Sequence, residues 1–252
     1  MTLLAVERIK LFTTRSPLWC ALAAVTVVVG FAALIAGVDN DQAPSIATTQ
    51  FGVNFGLMIV MVMAALAITT EYRFGTIRAT FQAIPNRTGT LVAKASVVAL
   101  FAGLIGEVVA FGSVAIAKLI KSNANLGIDT SYEWRAVAGV GLVYALSAVV
   151  ALAVGTLIRH SAGAVSLLLI YTLLVESLVQ LIPNVGVDIQ KWMPFNVANK
   201  FLTGDPDPTN RFLDGPPPSN ATLSPWWALA YFAAFAVVML SIALFTANKR
   251  DA

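Results

Sequence analysis

The chain has 252 residues, of which 58% are hydrophobic and only 12% charged. Ordinary globular domains carry about 25% charged residues, so half the expected charge is missing, which excludes a soluble fold of this length as well as a disordered chain. The net charge of +3 belongs to the loops of a membrane protein rather than to a nucleic-acid-binding face. A single cysteine, Cys20, and a single histidine, His160, rule out an internal disulfide, paired-cysteine zinc sites and two-histidine metal motifs.

Residues 3–12 have helical spacing and one greasy face, read from Leu3, Leu4, Val6, Ile9, Lys10 and Phe12, with Glu7 and Arg8 opposite. Such a segment lies in the membrane interface, either as a simple anchor or as a connecting helix that transmits a partner's motion. Pro17 and Leu18 then start the first span. Its apolar run of about 19 residues exceeds the ~7–15 of a signal peptide, so it is expected to be retained.

About 20 apolar residues are needed to cross about 30 Å of hydrocarbon. The runs that qualify are 18–37, 52–70, 95–117, 136–158, 161–182 and 226–247, each uncharged except for Glu107 in the third and Glu176 in the fifth. The expected fold is therefore an all-α integral membrane protein with six transmembrane helices in one domain. In–out alternation in ~10-residue strands, the mark of a membrane barrel, is lacking.

Charge sets the orientation. The N-terminal segment, the segment after the second span, the turn after the fourth and the C-terminus hold ten basic residues against the acids Glu7, Glu71 and Asp251. The opposite loops hold six basic residues against eight acids. Basic residues stay on the cytoplasmic side, so both termini are expected inside. Trp19, Trp134, Trp226 and Trp227 at span ends, with Trp192 in an outer loop, suit the interface.

Segment 71–84, on the inner side, carries Phe74, Ile77, Phe81 and Ile84 at i, i+3, i+7 and i+10, one stripe of a short helix flanked by Arg73 and Arg78 and stopped by Pro85-Asn86. On spacing alone it is either a helix docking into a cleft of a soluble partner or one lying on anionic lipid.

Glu107 lies near the middle of the third span, where an ionised group costs about 2.5–3.5 kcal/mol. In the fifth, Thr172, Glu176 and Gln180 repeat at i, i+4 and i+8, with Tyr171 and Ser177 beside them. These residues either line a translocation pathway or a polar dimer seam, or are hydrogen-bonded within the bundle and only pack helices. Small residues at Ser147/Ala151/Gly155 and Ala102/Gly106/Ala110 allow close helix contact. His160 is read as a solvated residue at a helix end. Segment 183–225 is rich in proline; its apolar first half predicts short interfacial or re-entrant helices at 187–203, followed by an irregular stretch.

The string Glu71-Tyr72-Arg73-x-Gly75-Thr76-Ile77-Arg78, followed by Pro85-x-Arg87 and Lys94, resembles the cytoplasmic signature of type-2 ABC exporter permeases, which also follows the second of six spans. Glu7-Arg8-x-Lys10 with Thr14-Arg15-Ser16, and Leu157 to Ala164 around Arg159-His160-Ser161, look like actinobacterial, drug-efflux members of that family. Phe74 departs from the pattern, which often has a polar or basic residue there. The resemblance implies a permease whose segment 71–84 is a coupling helix seated on a separate ABC ATPase, with Glu71, Gly75, Thr76, Pro85 and Arg87 carrying the match. It also implies a second permease, of the same or a related chain, and an external helical element capping the exit. ATP and its magnesium would sit on the ATPase, with no cofactor on this chain.

The residues agree with that division of labour. No Gly-Lys pair occurs, so the phosphate-cradling P-loop is missing. The expected function is ATP-driven export of a lipophilic, amphipathic or antibiotic-like substrate, as in multidrug efflux, across the plasma membrane. The alternative is a non-transporting immunity or sensor subunit with the same fold. An intramembrane enzyme is disfavoured: Gly112-Ser113 has no base on its side, and the spans hold no aspartate.

Overall fold

The computed structural model describes residues 3–38, 44–84, 86–205 and 215–250, with the side chain of Arg250 excepted. Pro85 and residues 206–214 of the outer segment therefore lie outside the described residues. The described chain is helical without strands: α1 (Leu3–Thr13), α2 (Arg15–Val38), α3 (Ile46–Thr49), α4 (Val53–Arg73), α5 (Thr76–Ala83), α6 (Arg87–Ile120), α7 (Ser131–Ile158) and α8 (Ser161–Ile170). A π-helical turn (Tyr171–Val175), α9 (Glu176–Leu178) and a 3-10 turn (Val179–Leu181) continue α8; α10 (Gly186–Gln190), α11 (Pro194–Thr203) and α12 (Pro225–Arg250) follow.

Six segments are long and apolar enough to cross a membrane: Arg15–Val38, Ile46–Arg73, Arg87–Ile120, Ser131–Ile158, Ser161–Leu181 and Pro225–Lys249. Several run past the uncharged stretch that defines them in sequence. With 34 residues, α6 is about 51 Å long at ~1.5 Å per residue, so it outreaches the hydrocarbon layer and starts at Arg87, with Lys94 in its third turn.

Local chemistry sets the helix ends. Thr130 and Glu133 form a reciprocal capping box at the start of α7. Asn86 accepts from the Gly89 N–H at 2.8 Å to open α6. His160, exposed as expected, opens α8 by accepting from the Gly163 N–H at 3.1 Å through Nδ1. The preceding Arg159 closes α7 in the left-handed region, at φ 58°.

The bundle is built around α7, which packs against α4, α6, α8, α11 and α12. In its most apolar stretch, 72% of residues are buried, against 17–22% in the first, fifth and last spans. Small residues make this possible. A Cβ added to Gly155 would lie 2.7 Å from Ile68 of α4, and Ala151 and Ser147 are fully buried one and two turns earlier. The outer surface is apolar instead, with Leu22, Leu34, Leu100 and Phe245 all more than half exposed. All five tryptophans are also exposed.

Helix α1 and the end of α12 lie at the same end as α5. The Asn248 amide of α12 donates to the Thr88 hydroxyl of α6 at 3.0 Å, and Glu7 of α1 meets Lys94 of α6. At the opposite end α11 packs on α12, with Phe201 and Trp226 ring centroids 5.3 Å apart, and the Arg135 guanidinium of α7 donates to the Gly204 carbonyl.

Candidate functional site

Three polar constellations stand out, two at the terminal end and one at the opposite end. The first grows from the join of α4 and α5. The Phe74 N–H makes a last bond to the Thr70 carbonyl at 2.9 Å. Gly75 then reverses the chain at φ 71°, a conformation open to glycine at little cost. Helix α5 thus spans Thr76–Ala83, shorter than the 71–84 expected from sequence. Glu71 and Arg73 finish α4, and Phe74 and Gly75 form the turn. The apolar stripe is divided accordingly: Ile77 is buried at 3% exposure, Phe81 is half-buried, and Phe74, outside the helix, is 72% exposed. Ile84 is extended, as a residue before proline should be.

Around this turn opens a concavity of about 870 Å³, lined by Tyr72, Arg73, Phe74, Gly75, Ile77, Arg78, Phe81, Gln82, Arg87 and Arg159. The lining has four arginines and no carboxylate. Guanidinium groups lie over rings, Arg73 on Phe74 at 5.5 Å, Arg87 on Phe81 at 5.6 Å and Arg159 on Tyr72 at 4.9 Å. Arg159 comes from the α7–α8 turn, so two turns of the chain share one basic, aromatic surface. The sequence reading grouped Arg73, Arg78 and Arg87 but left Arg159 apart.

The second constellation is buried beside the first. Lys94 of α6 donates to Glu7 of α1 at 2.5 Å and to Glu71 of α4 at 2.9 Å. The Lys94 and Glu7 side chains are 5% and 3% exposed. Lys10 of α1 lies 2.9 Å from Glu7 and 3.6 Å from Glu71, and donates to the Thr80 hydroxyl of α5 at 3.2 Å. This revises one residue of the amphipathic reading of residues 3–12: Glu7 turns into the bundle, while the apolar face stays on the outer surface, where an interfacial helix has it. Glu7 and Leu11 face inward, whereas Leu4, Ile9 and Phe12 are about half exposed. Desolvating a carboxylate costs several kcal/mol unless a partner meets it, and two lysines meet this one. Glu7 and Lys94 stand 87 positions apart, which hid the pairing from the sequence.

The third lies at the far end. Glu176 is buried, and its two carboxylate oxygens accept the N–H groups of Phe195 at 3.0 Å and Asn196 at 2.8 Å, at the start of α11. The acid is therefore the anion at a helix N-terminus. Gln190 donates to the Glu176 carbonyl at 3.2 Å, and Asn196 donates to the Gln190 carbonyl at 2.7 Å. Beside them is a cavity of about 270 Å³ whose lining includes Asn54, Met58, Thr172, Glu176, Ser177, Gln190, Asn196 and Asn199.

Of the five candidates for a polar pathway, Thr172 and Glu176 share this cavity. Tyr171 lies next to it, its hydroxyl 3.4 Å from the Met193 sulfur and its ring 6.2 Å from Phe195. Gln180 is exposed and apart, because past Glu176 the helix runs only to Leu178 before a 3-10 turn at Val179–Leu181 breaks the 3.6-residue repeat on which the stripe was read. Glu107 is elsewhere, half-buried at the α6–α7 contact, where a Cβ on Gly141 would strike its carboxylate. Among the described residues, no three of His, Cys, Asp and Glu converge as a metal site.

Six apolar spans with a short helix at the second-to-third connection define an all-helical integral membrane protein. Residues 3–175 match the family described as ABC-2 family transporter protein, and the chain belongs to that family. It is accordingly a multi-pass membrane permease of an ABC transporter, a non-catalytic component whose class implies an ATPase partner. No curated protein matches the chain.

Proposed function

We propose that this chain is the permease subunit of an ATP-driven exporter that moves a lipophilic, amphipathic or antibiotic-like substrate outward. Segment 71–84 is its contact with a separate ATPase that carries ATP and magnesium. The observation behind this reading is the concavity around the α4–α5 turn: basic, aromatic, lined by no carboxylate and placed at the end that holds α1 and the close of α12. Arg73, Phe74, Gly75, Thr76, Ile77, Arg78, Phe81, Pro85 and Arg87 make up the contact, and Glu71, expected among them, stands behind it on Lys94. The excess of basic residues at this end supports a cytoplasmic location for it and for both termini, with the plasma membrane as the bilayer of this reading. A second permease, identical or related, completes the membrane portion.

Within the bundle the outer cavity at Thr172 is a segment of the substrate route, and Glu176 serves it by holding α11 in place rather than by offering a free charge. Glu107 braces the contact of α6 with α7.

Gentle detergent purification with mass spectrometry of the co-purifying chains tests the partner. ATP-dependent efflux from vesicles reconstituted with the complex tests transport. An ABC ATPase retained by the wild type and lost on Arg78→Glu is the expected result. Retention of the ATPase by Arg78→Glu, and equally by a one-residue insertion at Gly75, overturns the assignment of the contact.

A further inference from the structure

We propose that Lys94, with Glu7, Glu71 and Lys10, is a buried ionic keystone that makes α1, α4, α5 and α6 move as one block, so that a displacement of α5 reaches α2 and α6 together. This rests on the reading of α5 as the ATPase contact. Lys94 is a positioning residue in this scheme: it touches no substrate and acts through the helices it joins.

Geometry carries the proposal. Helix α5 hangs from α4 by the Phe74–Gly75 turn and is bonded separately to α1 through Lys10 and Thr80 at 3.2 Å. Lys10 passes the link to Glu7 and Glu71, and Lys94 ties both acids to α6 at 2.5 and 2.9 Å. Four helices thus meet on two ammonium groups and two carboxylates, a set with no net charge. Removing one member strands a buried charge, so the set holds or breaks as a whole instead of stretching. Only Thr14 separates α1 from α2, so a tilt of α1 passes directly into the first span. A cavity of about 450 Å³ lies against the quartet, lined also by Thr14, Pro17, Leu66 and Val97, and leaves the α1–α2 corner room to swing. The 34 residues of α6 carry the same displacement to the opposite end.

The test uses the permease purified in nanodiscs with its co-purifying ATPase. Hydrogen exchange of α1 and α5, and the rate of maleimide labelling at Cys20 of α2, are followed with and without a non-hydrolysable ATP analogue. Cys20 is the chain's one cysteine and is half-buried. In the wild type the analogue is expected to change exchange in α5 and α1 and to shift labelling. In Lys94→Met the α5 response stays while the α1 and Cys20 responses fall roughly fivefold or more, and Lys94→Arg restores them. Lys10→Met, at a side chain one-third exposed and so milder for folding, cuts the α1–α5 link and gives the same separation. Should Lys94→Met not accumulate, Lys10→Met decides alone. If α1 and Cys20 follow α5 in the variants as in the wild type, the keystone is overturned. A wild-type α5 response without an α1 response overturns it too and leaves the ATPase contact standing; no α5 response in the wild type overturns both.

Discussion

Gly106 of α6 lies so close to Gly141 of α7 that a Cβ on Gly106 would stand 2.7 Å from the Gly141 Cα. Backbone meets backbone there, with Ala102 and Ala110 fully buried one turn to either side. In a bilayer, where apolar burial gives helices little reason to associate, such approach supplies dispersion contacts that lipid does not. Gly106→Ala is therefore expected to destabilise the bundle by about 1–3 kcal/mol, the usual cost of overpacking. Gly30→Ala in α2 is the control, since a Cβ there meets nothing within 4 Å. It should be neutral or stabilise by roughly 0.5–1 kcal/mol through helix propensity. Thermal unfolding in detergent compares the two, and equal midpoints would sink the argument.

Tyr144 is fully buried in α7, and its hydroxyl donates to the Val53 carbonyl at 2.6 Å, pinning the first turn of α4 to the central helix. Tyr144→Phe keeps the ring and removes the donor, so the expected loss is about 0.5–1.5 kcal/mol. The same unfolding measurement checks it. A loss well above that range would mean that the ring itself has moved.

Glu176 gives a sharper contrast. Both oxygens are engaged by backbone donors of α11, so Glu176→Ala leaves two N–H groups without acceptors at a cost of about 1–3 kcal/mol each. Glu176→Gln keeps one acceptor and should fall between Ala and wild type. The readout is local: hydrogen exchange across 194–203 should rise in the order wild type, Gln, Ala, with α7 unchanged. Unaltered exchange in α11 in the Ala variant would refute the anchoring role.

How much of this was legible in the sequence depends on what kind of partner each residue has. The spans were legible, because each apolar run advertises its solvent. Their limits were not, since a hydropathy run stops at Lys94 whereas α6 passes through it and buries its charge against Glu7. A carboxylate paired with a lysine 87 residues away leaves no local mark. Glu176 was legible as an unusual group, but its acceptors' work is on backbone N–H groups, which every residue but proline has. The stripe through Thr172, Glu176 and Gln180 loses its last member for a geometric reason: the 3-10 turn at Val179–Leu181 changes the face on which Gln180 falls. The Gly75 turn was half legible, as the glycine was singled out by resemblance while the α-helix was drawn straight through it.

That turn supplies the last prediction. Gly75 stands at φ 71°, and a Cβ added there meets nothing within 4 Å, so a substitution is opposed by backbone strain alone. An L-residue with a side chain pays about 1–2 kcal/mol in the left-handed region, and a β-branched one pays most. Gly75→Asn should be tolerated, Gly75→Ala should loosen the start of α5, and Gly75→Val should displace it. Because α5 carries Ile77 into the core and Arg78 into the basic concavity, its displacement moves both at once. On the proposed reading, ATPase co-purification should fall in the order Asn, Ala, Val, and the thermal midpoint should fall in the same order, most in Val, where Ile77 is drawn from the core. Arg78→Glu leaves the backbone alone and reverses one charge among four arginines, so it should weaken binding by about tenfold or more, with a smaller salt dependence than wild type. A Val variant that binds the ATPase as the wild type does would show that the orientation of α5 is immaterial to the contact, and the face would have to be sought elsewhere at that end of the bundle.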